Sequence, residues 1–230
     1  MLKAGFYSID ITPDKLYPLA GFDLRSEVAE GVHDRIYARA AVLDNGDAVC
    51  ALCSLELLGA PADMVSDIRA RVADRLGLSD IYVQIGATHT HAAPKSVFRS
   101  AACYDEDYRD LVVSSATDAI VNAYERRGEV VAYHAQTEVD GVASYRDRDR
   151  ADSAYSMPCN ALWLKSESGE RRDIMIAFFA CHPTVLNESN RMISNDLVWG
   201  CESQIKGKLH ATDILQPSLS LSRRSSKMPD

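Results

Sequence analysis

The chain has no long hydrophobic run. No stretch of its 230 residues approaches the ~18 consecutive apolar residues of a membrane-spanning helix. The amino-terminal Met1-Leu2-Lys3-Ala4-Gly5-Phe6 has no apolar core of signal-peptide length. The expectation is a soluble, cytoplasmic protein. Excess positive charge is missing too. The formal net charge is -8, which argues against nucleic acid as the main partner, because phosphate binding needs a basic footprint. The six cysteines (Cys50, Cys53, Cys103, Cys159, Cys181 and Cys201) form no disulfide framework. Cys50 and Cys53 make a C-x-x-C, but inside a predicted strand a spacing of three sends the thiols to opposite faces. Buried small hydrophobes are the expected role. There is no G-x-S-x-G elbow to present a serine nucleophile, and there are no internal repeats.

What remains is the composition of an ordinary globular protein, 47% hydrophobic and 25% charged. Gly5–Ile11 reads as a strand ended by Thr12-Pro13-Asp14, and a loop-like stretch follows to Gly31. Ile36–Leu43 and Ala48–Leu55 flank Asp44-Asn45-Gly46-Asp47, a strong hairpin signal in which both central residues are expected at positive φ. Pro61 opens a helix in which Met64, Ile68, Val72 and Leu76 repeat every four residues, and Gly77 stops it. Ile81–Gly86 is a short apolar strand. A second helix spans about Asp105–Arg126, its apolar face built from Tyr108, Val112, Ala116, Ala119, Ile120 and Ala123, with Gly128 as cap. Glu129–Val139 is a strand and Ser144–Ser156 a polar loop. Asn160–Ser166 and Arg172–Ala180 form a second hairpin. Ser194 or Asn195 caps a helix that begins near Asp196. Gln216 onward is serine-rich and basic and reads as a disordered tail.

Two of the six histidines lie in Ala87-Thr88-His89-Thr90-His91-Ala92-Ala93-Pro94, at the carboxyl end of a strand. In an extended chain residues i and i+2 share a face, so both imidazoles are expected to project together. Neutral imidazole is the commonest protein ligand for zinc. A third histidine, His182 in Cys181-His182-Pro183, also follows an apolar strand. Sites in sheets with helix crossovers gather at the carboxyl ends of strands. One reading is a zinc site on His89, His91 and His182. The other is a binding or structural module in which backbone carbonyls satisfy these histidines and Tyr145–Arg150 is a solvated charged stripe.

Four segments resemble the neutral/alkaline ceramidase family of zinc amidases, in the family's order. They are Asp10-Ile11-Thr12-Pro13 with Ala20-Gly21-Phe22; Gly31-Val32-His33-Asp34-Arg35-Ile36-Tyr37-Ala38-Arg39-Ala40; Ala87–Pro94; and Phe179-Ala180-Cys181-His182-Pro183 with Ser194-Asn195-Asp196 downstream. Val139-Asp140-Gly141 with Arg146 resembles a further family segment. The likeness runs over roughly Ala4–Gly200. It implies that His89 and His182 are zinc ligands, that His91 is a catalytic group beside the metal, and that Arg146 belongs to an active-site loop. The implied activity is hydrolysis of a ceramide-like lipid to a fatty acid and a sphingoid base.

Some features depart from the family. Its further ligands, a glutamate and a tyrosine, fall beyond residue 230, and its "GDVSP" segment is missing. The family's "SGP" reads Ala92-Ala93-Pro94 here. The expectation is a carboxyl-terminally truncated member, with a partial domain over residues 1–212 and an aberrant tail over 213–230. On its own it would hold zinc weakly or act as a catalytically incomplete lipid-binding homologue. His33, Glu56 and Asp196 are the candidates for groups that support the ligands. The expected fold is α/β: part of a three-layer α/β/α arrangement around a mixed, hairpin-rich sheet. A missing segment or an oligomer partner would cover the exposed sheet edge.

Overall fold

The computed structural model of the chain describes residues 1–22, 25–140, 156–169, 171–179, 181–208 and 212–215. The elements are β1 (Lys3–Asp10), β2 (Gly31–Val32), β3 (Tyr37–Asp44), β4 (Val49–Leu55), α1 (Ala62–Leu76), β5 (Tyr82–Ala87), α2 (Glu106–Glu125), β6 (Gly128–Asp140), β7 (Ser156–Ser166), β8 (Asp173–Phe179), β9 (Met192–Ile193), α3 (Leu197–Lys208) and β10 (Thr212–Leu215). Eight strands form one mixed sheet in the order β10-β8-β7-β6-β1-β3-β4-β5. β4 and β5, joined through α1, run parallel, as do β8 and β10. The other pairs are antiparallel, with hairpins at β3–β4 and β7–β8. β2 and β9 make a separate short parallel pair. This is the expected α/β class with a mixed, hairpin-rich sheet.

Period-two alternation assigns the two faces of the sheet. On β3 and β4, Ala38, Ala40, Val42, Ala51, Cys53 and Leu55 point into a core shared with Met64, Ile68 and Val72 of α1 and with Val112, Ala116, Ala119 and Ile120 of α2. The four-residue repeat of α1 thus buries one stripe, and Gly77 closes the helix in the left-handed conformation. The small residues of β3 and α2 let helix and sheet approach closely. Ala41 and Leu43 of β3 point the other way. There they meet Ala4, Leu52, Leu164, Ile174, Ile176 and Leu215. β8 and β10 touch β1 and β3 directly although they lie several strands away in the sheet order. The sheet therefore curls until one end packs on its own middle. Cys53 is a buried hydrophobe whose thiol burial pushes up to about 12, in line with its expected role.

Several local expectations need correction. In the β3–β4 turn only Gly46 has positive φ (93°). Asn45 instead accepts the Asp47 and Ala48 N–H groups on its side chain, an Asx turn that removes the need for a second left-handed residue. α2 is capped by Arg126 rather than by Gly128, which opens β6. β7 begins at Ser156, ahead of Pro158, which is tolerated because the β8 ladder has already ended at Cys159↔Phe179. The first N–H of α3 is taken by the Asp196 carboxylate rather than by Ser194 or Asn195. Asp213, Ile214 and Leu215 pair with β8 in parallel, so these three belong to the sheet and not to the tail. The rest of the tail, and the Tyr145–Arg150 stripe with Arg146, lie outside the described residues.

A buried ion cluster ties α3 to the sheet. Arg39 of β3 donates to Glu56 (2.6 Å), just past β4, and to Glu202 of α3 (2.9 Å). Glu56 is 1% exposed and also accepts the Tyr37 N–H at 2.7 Å. Burial pushes its carboxyl up to about 7, against the opposing pull of Arg39 and with added repulsion from Glu202. The folded chain therefore holds this proton more tightly than the unfolded chain, where a glutamate titrates near 4.5. The associated stability is complete below about pH 4.5 and is lost as pH rises through about 7. We predict that the melting temperature falls by roughly 5 °C or more between pH 5 and pH 8, and that Glu56→Gln removes most of that fall. Parallel curves for the two proteins would refute the prediction.

Candidate metal centre

Three imidazoles converge at one end of the sheet. His89, His91 and His182 each offer a ring nitrogen, and these nitrogens lie within 4.8 Å of one another. The ring centroids are 5.2 Å (His89–His91), 5.1 Å (His89–His182) and 4.7 Å (His91–His182) apart. The Nε2 atoms of His91 and His182 are 2.9 Å apart, a hydrogen bond between rings. His89 and His91 follow β5 and His182 follows β8, near opposite ends of the strand order. The curl of the sheet is what brings them together.

The pleat of a strand does not pair His89 with His91, contrary to the expectation from spacing. β5 ends at Ala87, and His89 has φ of 67°. A non-glycine residue in the left-handed region is strained and persists only where its surroundings fix it. Here they do. The His89 N–H donates to the Leu57 carbonyl (3.0 Å), and ring Nδ1 donates to the Leu58 carbonyl (2.7 Å). Since a carbonyl only accepts, the proton sits on Nδ1 and Nε2 keeps its lone pair, the usual arrangement behind a metal-ligating histidine.

His91 is held by packing. Gly21 has φ of 93°, and a Cβ there would lie 2.3–2.7 Å from Cγ, Nδ1 and Cβ of His91. Only glycine permits that approach. The Phe22 ring meets His91 edge-on at 4.9 Å.

The segment Ser194-Asn195-Asp196 fastens these loops to one another. Thr90 Oγ1 donates to the Ser194 carbonyl (2.9 Å), and the Ser194 N–H donates to the Ala92 carbonyl (3.0 Å). Asp196, itself at φ 57°, accepts the Val185 and Leu186 N–H groups at 3.1 and 3.0 Å, fixing the turn that follows His182. The segment is anchored in turn by buried Asp34, whose carboxylate accepts Ser194 Oγ (2.5 Å), the Asn195 N–H (2.7 Å) and His33 Nδ1 (2.7 Å). The β2–β9 pair places Asp34 opposite them.

Of the residues singled out from sequence, His89, His91 and His182 come together and Asp196 stands behind His182. His33 lies outside the group: its half-exposed ring bonds Asp34 and sits 5.8 Å from Trp199. Glu56 is committed to Arg39 and the Tyr37 N–H rather than to the histidines. Asp34, Gly21 and Arg25 were not identified as site residues. Asp34 and Gly21 lie inside quoted motifs, but Asp34 stood next to the more conspicuous His33. Arg25 lies in a stretch with no periodic pattern to mark it. Three clustered nitrogens, one already in the tautomer that frees Nε2, fit a zinc ion in donor type.

Residues 3–205 match the family described as neutral/alkaline non-lysosomal ceramidase, N-terminal. The chain is similar to a neutral ceramidase of Mycobacterium tuberculosis (strain ATCC 25618 / H37Rv), with 27% identity over 85% of this chain and 34% of that protein. Its fold is similar to the crystal structure of neutral ceramidase from Pseudomonas aeruginosa, with a TM-score of 0.79 and 17% identity over 100% of this chain and 41% of that one. A ceramidase structure in complex with C2 is similar at a TM-score of 0.77 and 18% identity, over 94% of this chain and 37% of that one. The chain thus spans 34–41% of the length of these relatives, which agrees with a fold that is incomplete relative to the family.

The Asp34 bonds generate a prediction. Asp34→Ala removes a charge-assisted acceptor and leaves buried donors on Ser194 and Asn195 unpaired. It should cost about 3 kcal/mol, read as a lower urea midpoint at unchanged slope. Ser194→Ala should cost about 1 kcal/mol. Equal, small effects of the two substitutions would show that Asp34 is not the anchor.

Proposed function

The chain belongs to the neutral/alkaline non-lysosomal ceramidase family, and from that premise we propose that it carries the histidine half of a zinc-dependent amide hydrolase centre of the ceramidase type. The convergence of His89, His91 and His182 carries this reading. His89 and His182 would hold the zinc, and the substrate would be a ceramide-like lipid, cleaved to a fatty acid and a sphingoid base. When bound, zinc would supply Lewis acidity and a water of lowered pKa.

The chain's own residues do the rest. The Leu58 carbonyl keeps the His89 proton on Nδ1, so Nε2 presents its lone pair. The Asp196 carboxylate fixes the turn behind His182, which orients that ring. His91 is the proton-handling group: Gly21 and Phe22 restrict its ring, and its Nε2, which faces that of His182 at 2.9 Å in the metal-free chain, would be released for proton transfer when His182 binds the metal. A positioned imidazole of this kind can take a proton from an attacking water at Nε2 and return it to the leaving amine. Phe22 shields one side of His91 from water. Arg146 is proposed, from the family likeness alone, as a donor to the negative oxygen that develops on the cleaved carbonyl, a contact worth about 3 kcal/mol.

A second reading is a catalytically incomplete homologue that binds a lipid or another amide. The observation favouring it is that, among the described residues, the group that could hold a metal consists of imidazoles alone.

Turnover of a fluorescent N-acylsphingosine in zinc-containing buffer separates the two. The first reading predicts fatty-acid release that falls to background in His89→Ala and on chelation. His91→Ala should slow release by roughly 100-fold while zinc stays bound. A chain that holds zinc and lipid without turnover would support the second reading, and one that binds neither would refute both.

A further inference from the structure

We infer that Arg25 is a positioning residue for His91: its guanidinium locks the loop that walls in the imidazole and ties that loop to the chain leaving His182. Arg25 is 7% exposed. Its Nη2 donates to the carbonyls of His91 and, at 2.6 Å, Ala20. Its Nη1 donates to the Asn190 carbonyl at 3.0 Å. The guanidinium carbon also lies 5.0 Å from the centre of the Phe22 ring, the ring that meets His91 edge-on.

Each contact constrains a different degree of freedom of His91. The bond to its own carbonyl fixes the backbone just past the strained turn at His89. The bond to Ala20 O fixes the residue before Gly21, so the glycine backbone stays under the imidazole where no side chain fits. The cation–π contact with Phe22 holds the second wall in place. The bond to Asn190 O couples this wall to the segment that runs from His182 to Ser194. The three bonds leave from two fixed nitrogens of a planar fork, Nη1 and Nη2; lysine would have to offer its three donors from a single point on a flexible stem. Among the described residues no carboxylate pairs with Arg25. Its buried charge is met by backbone dipoles and an aromatic face, an environment that rewards one geometry.

The inference rests on His91 belonging to the site, and its test needs no metal and no turnover. In the metal-free chain labelled with 15N-histidine, the His91–His182 bond should give a downfield imidazole N–H resonance, slow to exchange with water and absent in His91→Ala. In Arg25→Met, with the far-UV spectrum unchanged, that resonance should vanish or exchange at least ten-fold faster. Arg25→Lys should recover only part of the protection. An Arg25→Met protein that keeps the resonance and its exchange rate overturns the inference. If Arg25→Met does not fold, Phe22→Ala decides: unchanged exchange there overturns it equally. If the unaltered chain has no resonance that His91→Ala removes, the contact itself is refuted and the inference falls with it. Failure of the intact chain to bind zinc would remove the functional reading and leave this result standing.

Discussion

The site depends on one carboxylate. Asp34 accepts from Ser194 Oγ, the Asn195 N–H and His33 Nδ1, and through the first two it fixes the segment that fastens both histidine loops. Without it, the loop after β5 and the loop after β8 would each keep local bonds but have no common reference. The geometry needs such a reference because the three histidines come from strands near opposite ends of the sheet. A curled sheet brings those ends near one another. A buried charge-assisted hydrogen bond then turns proximity into a fixed arrangement.

Buried charge is handled in three ways in this chain. Arg39 shares two carboxylates, Glu56 and Glu202, and fastens α3 to the sheet. Arg109 is 2% exposed and pairs with Asp63 and Asp67, joining α2 to α1. Arg25 is paired with backbone carbonyls instead. The first two join secondary structures and act as cross-links in the scaffold. The third joins loops, next to the histidines. The scaffold ion pairs join elements to one another, whereas the loop arginine bonds the His91 carbonyl itself.

Much of the scaffold was legible in the sequence. The repeat Met64, Ile68, Val72 predicted the buried stripe of α1, and Asn-Gly between two apolar runs predicted the β3–β4 hairpin. These are local patterns with one dominant physical cause. The histidine set was legible as well, because His89, His91 and His182 each follow an apolar strand. The way His89 and His91 meet was not: spacing suggested a pleat, whereas a left-handed residue and a carbonyl bond produce the contact. The supporting residues were hidden for a different reason. Asp34, Gly21 and Arg25 act on partners about 60 to 160 residues away, and no periodicity in one sequence records such pairings. β10 was missed because its pairing with β8 depends on the curled end of the sheet rather than on its own four residues.

The central claim is that His89 and His182 hold zinc. Zinc K-edge X-ray absorption on the zinc-loaded chain tests it most directly. The account predicts imidazole nitrogens at about 2.0–2.1 Å, no sulfur shell despite the nearby Cys181, and loss of one imidazole in His182→Ala. A sulfur shell at about 2.3 Å, or a spectrum unchanged in both His89→Ala and His182→Ala, would contradict it.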